Sequence, residues 1–71
     1  MEEKKLRNTL KVQRTIKNLT QEQLAELVGV TRKTINTVEN GIYVPSTYLA
    51  LKLSKALKVP VEELFQLNEG G

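Results

Sequence analysis

The stretch TQEQLAELVGVTRKTINTVENG constrains the fold most, because it carries the start and stop signals of two short helices separated by a tight turn. Thr20 is a good N-cap, and Gln23 three residues later completes a capping box that starts the first helix. Gly29 ends that helix where the backbone must become left-handed, a conformation that glycine adopts without steric cost. Thr31 caps the second helix. The pattern therefore predicts a helix-turn-helix unit over residues 21–40.

Apolar spacing predicts which side of each helix faces the core. In the first helix the apolar face consists of Leu24, Ala25, Leu27 and Val28. In the second, Ile35 and Val38 lie three residues apart and face inward together. The polar and partly cationic outer face of the second helix consists of Arg32, Lys33, Asn36, Thr37 and Asn40. Side chains of these types suit the bases and phosphates of nucleic acid.

The available residue types exclude most enzyme classes. The 71 residues include no Cys and no His, which rules out disulfides, Cys or His zinc sites, Cys nucleophiles and His bases. The acidic residues show no metal-ligand spacing, and there is no glycine-rich phosphate loop. We therefore expect no enzyme, no cofactor, no metal and no evident small-molecule ligand. The longest apolar run, residues 48–51, is too short to cross a membrane and the amino end is charged, so we expect a cytoplasmic protein.

Positive charge is concentrated in the middle of the chain. The formal net charge is only +3, but residues 4–58 hold all eleven basic residues and three acidic ones, a net of +8. The lysines at 52, 55 and 58 are expected mainly to solvate a helix. Lys11, Arg32 and Lys33 fall on or beside the helices of the motif, where they would meet a polyanion.

The remainder of the chain predicts one domain over residues 1–71, with helices near 9–18, 21–28, 32–39, 47–57 and 61–65. Both ends alternate apolar and polar residues as a half-buried strand does, in Lys5-Leu6-Arg7 and Phe65-Gln66-Leu67. Frayed ends are the alternative to strands here.

The motif resembles the phage-repressor type of helix-turn-helix, the Cro-like regulators also called the xenobiotic-response-element family. The matching positions are Thr20-Gln21, Leu24-Ala25, Gly29, Ile35, Glu39-Asn40-Gly41 and Pro45-Ser46. The resemblance covers roughly residues 10–65 and departs at Gln13, where the family usually has an apolar residue. It implies an all-α, five-helix fold that binds double-stranded DNA. Some short members join their termini in a small antiparallel ribbon, which we expect here.

Residue types and the resemblance together predict a DNA-binding set. Arg32 and Lys33 lie in the first turn of the second helix, where two cations oppose the helix dipole, and this favours contact with base edges. Asn36 and Thr37 are expected near an adenine edge or a thymine methyl. In the family, the residue matching Gln21 contacts a phosphate. The predicted set is Gln21, Thr31, Arg32, Lys33, Thr34, Asn36, Thr37, Asn40 and Tyr43.

The resemblance also implies two structural features. Arg14 and Glu39 match a pair that fastens the first helix to the end of the recognition helix, so Glu39 is interpreted as architectural. The last helix and its flanks match a dimer face, consisting here of Val44, Val59, Val61, Leu64 and Leu67. The alternative is that most of these side chains complete the monomer core.

We therefore expect a transcriptional regulator, most simply a repressor, that binds a palindromic operator as a homodimer. An antitoxin of a toxin-antitoxin pair would use the same fold and still bind DNA. A protein-interaction adaptor is the rival from another class, and the cationic Arg32 and Lys33 argue against it.

Overall fold

The computed structural model describes residues 5–68, and within that range it has five helices and two strands. In chain order they are β1 (Lys5–Asn8), α1 (Leu10–Ile16), α2 (Gln21–Val28), α3 (Arg32–Glu39), α4 (Thr47–Leu57), α5 (Val61–Leu64) and β2 (Phe65–Asn68). The five predicted helices are confirmed, and α1 and α5 are shorter than expected. The ends of the expected domain, residues 1–4 and 69–71, lie outside the described range.

Short-range polar contacts set the helix ends. The Thr20 hydroxyl accepts from the Gln23 backbone N–H at 3.0 Å, and the Gln23 side chain accepts from the Thr20 N–H at 2.8 Å, which confirms the capping box. Ser46 caps α4 by accepting from the Leu49 N–H at 3.1 Å. The predicted bounds of α4, 47–57, are confirmed, and the helix ends at Lys58, which adopts a left-handed φ of 59°.

Every helix contributes to one apolar core. Its buried members are Leu10, Leu24, Ala25, Val28, Ile35, Val38, Leu49, Leu53, Leu57, Val59 and Leu64. The inward orientation of Ile35 and Val38 is confirmed. The inward prediction for Leu27 is wrong, since its side chain is 57% exposed. At 100° per residue it lies about 100° from the centre of the stripe that α2 buries at positions 24, 25 and 28.

The two ends of the described chain form the expected antiparallel ribbon. β1 pairs with β2 so that Leu6 is opposite Leu67. Next to the ribbon, the Thr9 N–H donates to the Leu64 carbonyl at 2.9 Å. The Asn8 side chain donates to the Val38 carbonyl at 3.0 Å, near the end of α3. The ribbon therefore holds the end of α3 as well as joining the termini.

None of the helices within residues 5–68 is both long enough and apolar enough to span a bilayer.

Candidate nucleic-acid interface

The turn between α2 and α3 sets the position of the second helix of the motif. Gly29 has a left-handed φ of 77°, and the Val30 N–H donates to the Ala25 carbonyl at 3.0 Å, which closes the end of α2. Thr31 then caps α3 by accepting from the Thr34 N–H at 3.3 Å. Since Ile35 and Val38 take the inner side of α3, its outer side is free of core packing.

A nearly buried ion pair fixes the far end of α3. Arg14 donates from Nε to Glu39 Oε2 at 2.6 Å and from Nη2 to Glu39 Oε1 at 3.2 Å. Its Nη1 donates to the Leu19 carbonyl at 2.7 Å. The two side chains are only 12% and 3% exposed, respectively. The expected pairing of Arg14 with Glu39 is present in the structure, and it connects α1, the loop before α2 and the end of α3.

The side chain of Gln21 extends this pair to the surface. Its Nε2 donates to Glu39 Oε1 at 3.0 Å and to Asn36 Oδ1 at 3.2 Å, so both amide hydrogens are bonded inside the protein. Asn36 Oδ1 also accepts from Asn40 Nδ2 at 3.3 Å. Gln21 was predicted to contact a phosphate, and its side-chain amide has no free donor hydrogen for that contact. The donor that remains free to bind an anion at this position is the backbone N–H at the start of α2.

The two cations of α3 lie at its opposite, amino-terminal end. Arg32 and Lys33 are both exposed, and neither forms an ion pair with another residue of the described range. The first turn of α3 has no acidic residue to offset them. This differs from Arg14, whose guanidinium bonds three acceptor oxygens. Within residues 5–68, two cations without an ion-pair partner therefore lie exposed on a helix whose two ends are held by hydrogen bonds.

The threonines of α3 and its cap use their hydroxyls within the protein. Thr31 and Thr34 hydroxyl oxygens are 3.1 Å apart, within hydrogen-bond distance. The Thr37 hydroxyl donates to the Thr34 carbonyl at 3.0 Å. These three residues lie at intervals of three along one side of the helix. They were predicted to touch DNA, and their hydroxyls are already engaged before any ligand arrives.

The segment after α3 folds back against that threonine side. Gly41 turns the chain with a φ of 75°, and the N–H groups of Ile42 and Tyr43 both donate to the Thr37 carbonyl, at 2.9 and 3.2 Å. Between the segment and the helix lies an open groove of about 370 Å³. It is lined by Thr31, Lys33, Thr34, Thr37, Ile42 and Tyr43.

Two members of the predicted dimer face are misassigned. Leu64 has no exposed surface and Val59 is 9% exposed, so both complete the monomer core and have little surface to offer a partner. Val44 and Leu67 are 63% and 71% exposed, and Val61 is half-buried. The error has a simple cause, since a core this small also needs apolar residues from α5 and from the segment before it.

The sequence did not predict the roles of four residues at this face and on α4. Asn8 holds the end of α3, and Ile42 lines the groove with 75% of its surface exposed. Tyr48 and Leu51 are 72% and 56% exposed on α4. A helical projection would have found the last two, because they lie opposite the buried stripe of Leu49, Leu53 and Leu57.

The fold and this exposed helix define a class of protein, the helix-turn-helix DNA-binding regulators. Residues 10–64 match the family model described as Helix-turn-helix, of the Cro/C1 type, and the chain belongs to this family. The resemblance found in the motif is thereby confirmed.

Two relatives match over most of their own lengths. YgzD of Bacillus subtilis, an uncharacterised helix-turn-helix-type transcriptional regulator, is 45% identical over 64 residues, which cover 90% of this chain and 97% of YgzD. A protein of the same description from Methanocaldococcus jannaschii is 47% identical over 60 residues, which cover 84% of this chain and 91% of that protein.

Two solved structures share the fold. The restriction-modification controller protein C.AhdI from Aeromonas hydrophila superposes with a TM-score of 0.74 at 43% identity, over 79% of this chain and 85% of the controller. A Bacteroides fragilis protein that is proposed to bind DNA superposes with a TM-score of 0.78 at 28% identity, over 86% of this chain and 98% of that protein.

Proposed function

We propose that this protein is a sequence-specific transcriptional repressor that binds a palindromic operator in double-stranded DNA as a homodimer. The observation that carries the proposal is the pair of exposed cations at the first turn of α3, Arg32 and Lys33, which have no ion-pair partner among the described residues. Positive charge at a helix amino terminus is disfavoured by the helix dipole, and here no acidic residue of that turn offsets it. Contact with a polyanion removes that penalty. The similarity to a restriction-modification controller and to proteins described as transcriptional regulators supports the same function.

The exposed groups of α3 suit base edges in the major groove. Arg32 has the geometry to donate two bonds to guanine O6 and N7, and Lys33 donates to the same acceptors. Asn36 has its oxygen occupied by Gln21 and Asn40, which leaves its amide hydrogens as donors. It therefore suits an acceptor such as guanine N7 or thymine O4 better than the donor-and-acceptor edge of adenine.

Contacts to phosphate would set the register of the protein on DNA. The backbone N–H groups at the start of α2 form an anion site, and the side chain of Gln21 braces α3 beside it. Asn40 and Lys11 are exposed and available for the same purpose. Such contacts add affinity for all sequences without discriminating among them.

The homodimer rests on apolar side chains that the monomer leaves exposed. Tyr48 and Leu51 lie three residues apart on one side of α4, with Val44 shortly before the helix. Lys52 Nζ lies 5.5 Å from the centre of the Tyr48 ring, at the edge of this α4 face. A two-fold pair joined through it would present two α3 helices to half-sites about 34 Å apart, and that geometry requires a palindromic site. Occupying such a site would block a promoter, with no cofactor required.

Selection of bound duplexes from a random pool tests the proposal. We expect one enriched palindrome, with affinity that falls steeply as salt rises, because each neutralised phosphate releases counterions. Arg32→Ala and Lys33→Ala should each reduce the preference for that site over random DNA by about tenfold. Lys17→Ala, which removes an exposed cation that directly follows α1, should leave the preference unchanged.

The adaptor alternative makes the opposite prediction. A protein that only bridges other proteins would enrich no DNA sequence, and its residual binding to DNA would be indifferent to Arg32 and Lys33. That result would overturn the proposed function.

A further inference from the structure

The groove between α3 and the segment after it is largely apolar, whereas the rest of the outer side of α3 is polar. Its volume is about 370 Å³, and it opens beside Lys33, one of the two cations assigned to base contact. The exposed ends of Ile42 and Tyr43 form one wall, with 75% and 46% of their surfaces accessible. Two exposed apolar side chains that line one groove beside the proposed DNA contacts make this groove a candidate site for an apolar group.

The opposite wall consists of three threonines whose hydroxyls each take part in a hydrogen bond within the protein. Thr31 and Thr34 share a bond between their hydroxyls, and the Thr37 hydroxyl donates to a backbone carbonyl. Each of these hydroxyls is therefore held by a bond within the protein, and the threonine methyl groups supply the apolar part of this wall.

The groove exists before any ligand binds. Two backbone N–H groups, those of Ile42 and Tyr43, converge on the single carbonyl of Thr37, and this holds the apolar wall against α3. Gly41 supplies the left-handed turn that makes the reversal possible. An apolar site that is already formed loses little conformational entropy on binding.

On the proposed function, the ligand of this face is the major groove of DNA. The apolar group on that edge of the bases is the methyl at C5 of a pyrimidine, which thymine carries and cytosine acquires on methylation. Lys33 at the rim matches the negative charge of the surrounding phosphates. The groove is wider than one methyl, since a water molecule takes about 30 Å³ of liquid volume, so it has room for the pyrimidine edge that carries it.

We infer that this groove, formed by Ile42, Tyr43 and the threonine methyls of α3, binds the C5-methyl group of a pyrimidine in each half-site. The inference rests on the proposed function and deepens it, because it adds an apolar contact to the bonds of Arg32 and Lys33. Ile42 and Tyr43 then determine specificity, although neither lies on the recognition helix.

Replacing thymine by deoxyuridine tests the inference, because it removes the methyl and leaves the Watson–Crick pair unchanged. Each thymine of the selected operator is replaced in turn, and affinity is measured by titration at fixed salt. We expect one position per half-site at which the replacement weakens binding about fourfold, the effect of burying one methyl group. An operator with no such position would refute the inference while leaving the proposed function intact.

Two variants locate the contact. Ile42→Ser should bring the thymine-to-uracil affinity ratio at that position close to one. Ile16→Ser is the matched control, since Ile16 is 62% exposed on α1 and lies outside the groove, and its ratio should stay near fourfold. An unchanged ratio in Ile42→Ser and also in Tyr43→Ala would show that the methyl is bound elsewhere and would overturn the assignment.

Cytosine with and without a C5-methyl group separates the contribution of the methyl from that of the other groups of thymine. At the same position, a guanine pair with 5-methylcytosine should bind more tightly than one with cytosine, by a factor similar to the thymine-to-uracil ratio. Equal binding of the two cytosines would mean that thymine is recognised by its oxygen or by DNA shape, which contradicts the inference. Failure to enrich any DNA sequence is a separate result, since it overturns the proposed function and this inference together.

Discussion

Glu39 joins the buried part of the molecule to its exposed face through both carboxylate oxygens. Oε2 accepts from Arg14 at 2.6 Å, and Oε1 accepts from Arg14 at 3.2 Å and from Gln21 at 3.0 Å. Gln21 in turn bonds Asn36 on the outer side of α3. The orientation of a side chain proposed to meet DNA is thus connected by three consecutive bonds to a guanidinium in the interior.

Truncating Glu39 should lower the stability of the fold, because it leaves the buried guanidinium of Arg14 without its carboxylate partner. We expect Glu39→Ala to lower the free energy of unfolding by about 3 kcal/mol, because Arg14 would stay largely buried without its partner. Urea unfolding measures the change. The double variant Arg14→Met/Glu39→Leu removes both charges and should lose less stability than Glu39→Ala alone. If Glu39→Ala unfolds at the same urea concentration as the parent, the pair does not stabilise the fold in this way.

Two glutamines of α2 should respond oppositely to the same substitution. Gln21→Glu loses two donors and places a second carboxylate beside Glu39, so we expect a loss of about 2 kcal/mol. Gln23 uses only its oxygen, as an acceptor in the capping box, and glutamate can do the same near the positive end of the helix dipole. Gln23→Glu should therefore leave stability unchanged or raise it slightly. Similar losses for the two variants in urea would contradict the assigned role of Gln21.

At the scale of helices and strands, the sequence correctly predicted the helix ends and helix faces that depend on residues close together in the chain. Thr20, Gly29 and Thr31 each end or begin a helix through contacts within a few residues, and the sequence predicted all three. The inner side of α3 was likewise predicted from spacing.

Properties that depend on distant neighbours were not predictable. The bonds of Gln21 reach 15 and 18 residues along the chain, so nothing near Gln21 in sequence signals them. The burial of Leu64 depends on how α5 meets the rest of the core. The groove beside α3 depends on how the segment after Gly41 returns to Thr37. A motif can imply a phosphate contact, but it cannot tell which of its donors the fold has already used.

The residues that follow α1 and α4 allow the energetic cost of a left-handed backbone conformation to be compared at two positions. Lys58 and Asn18 both have positive φ, 59° and 58°, and asparagine tolerates that conformation better than lysine. We therefore expect Lys58→Gly to raise the free energy of unfolding by about 1 kcal/mol and Asn18→Gly to change it by less. Thermal and urea unfolding of the two variants provide the comparison. A larger gain at Asn18 would contradict the explanation by backbone strain.

For the whole molecule, the number of apolar residues limits where a partner can bind. Leu64 and Val59 belong to the core, so Leu64→Lys would unfold the monomer and reveal nothing about a dimer. The apolar side chains of α4 that stay exposed, Tyr48 and Leu51, are better placed for an interface. This moves the expected contact from α5 to α4 while leaving α3 free for DNA.

The α4 face can be tested with two leucines of nearly equal exposure. Leu51 is 56% exposed on α4, and Leu27 is 57% exposed on α2. Leu51→Glu would place a charge inside the proposed interface, so we expect the dimer dissociation constant to rise at least tenfold and operator affinity to fall with it. Leu27→Glu makes the same change of charge outside that interface and should leave dimerisation unaffected.

Sedimentation at micromolar concentration, with and without operator DNA, gives the oligomeric state of both variants and the parent. Circular dichroism establishes that both variants stay folded, as expected for substitutions at exposed helix positions. Equal dissociation constants for Leu51→Glu and the parent would move the interface away from α4. A parent protein that sediments only as an 8.0 kDa monomer in both conditions would rule out the homodimer, and with it the need for a palindromic operator.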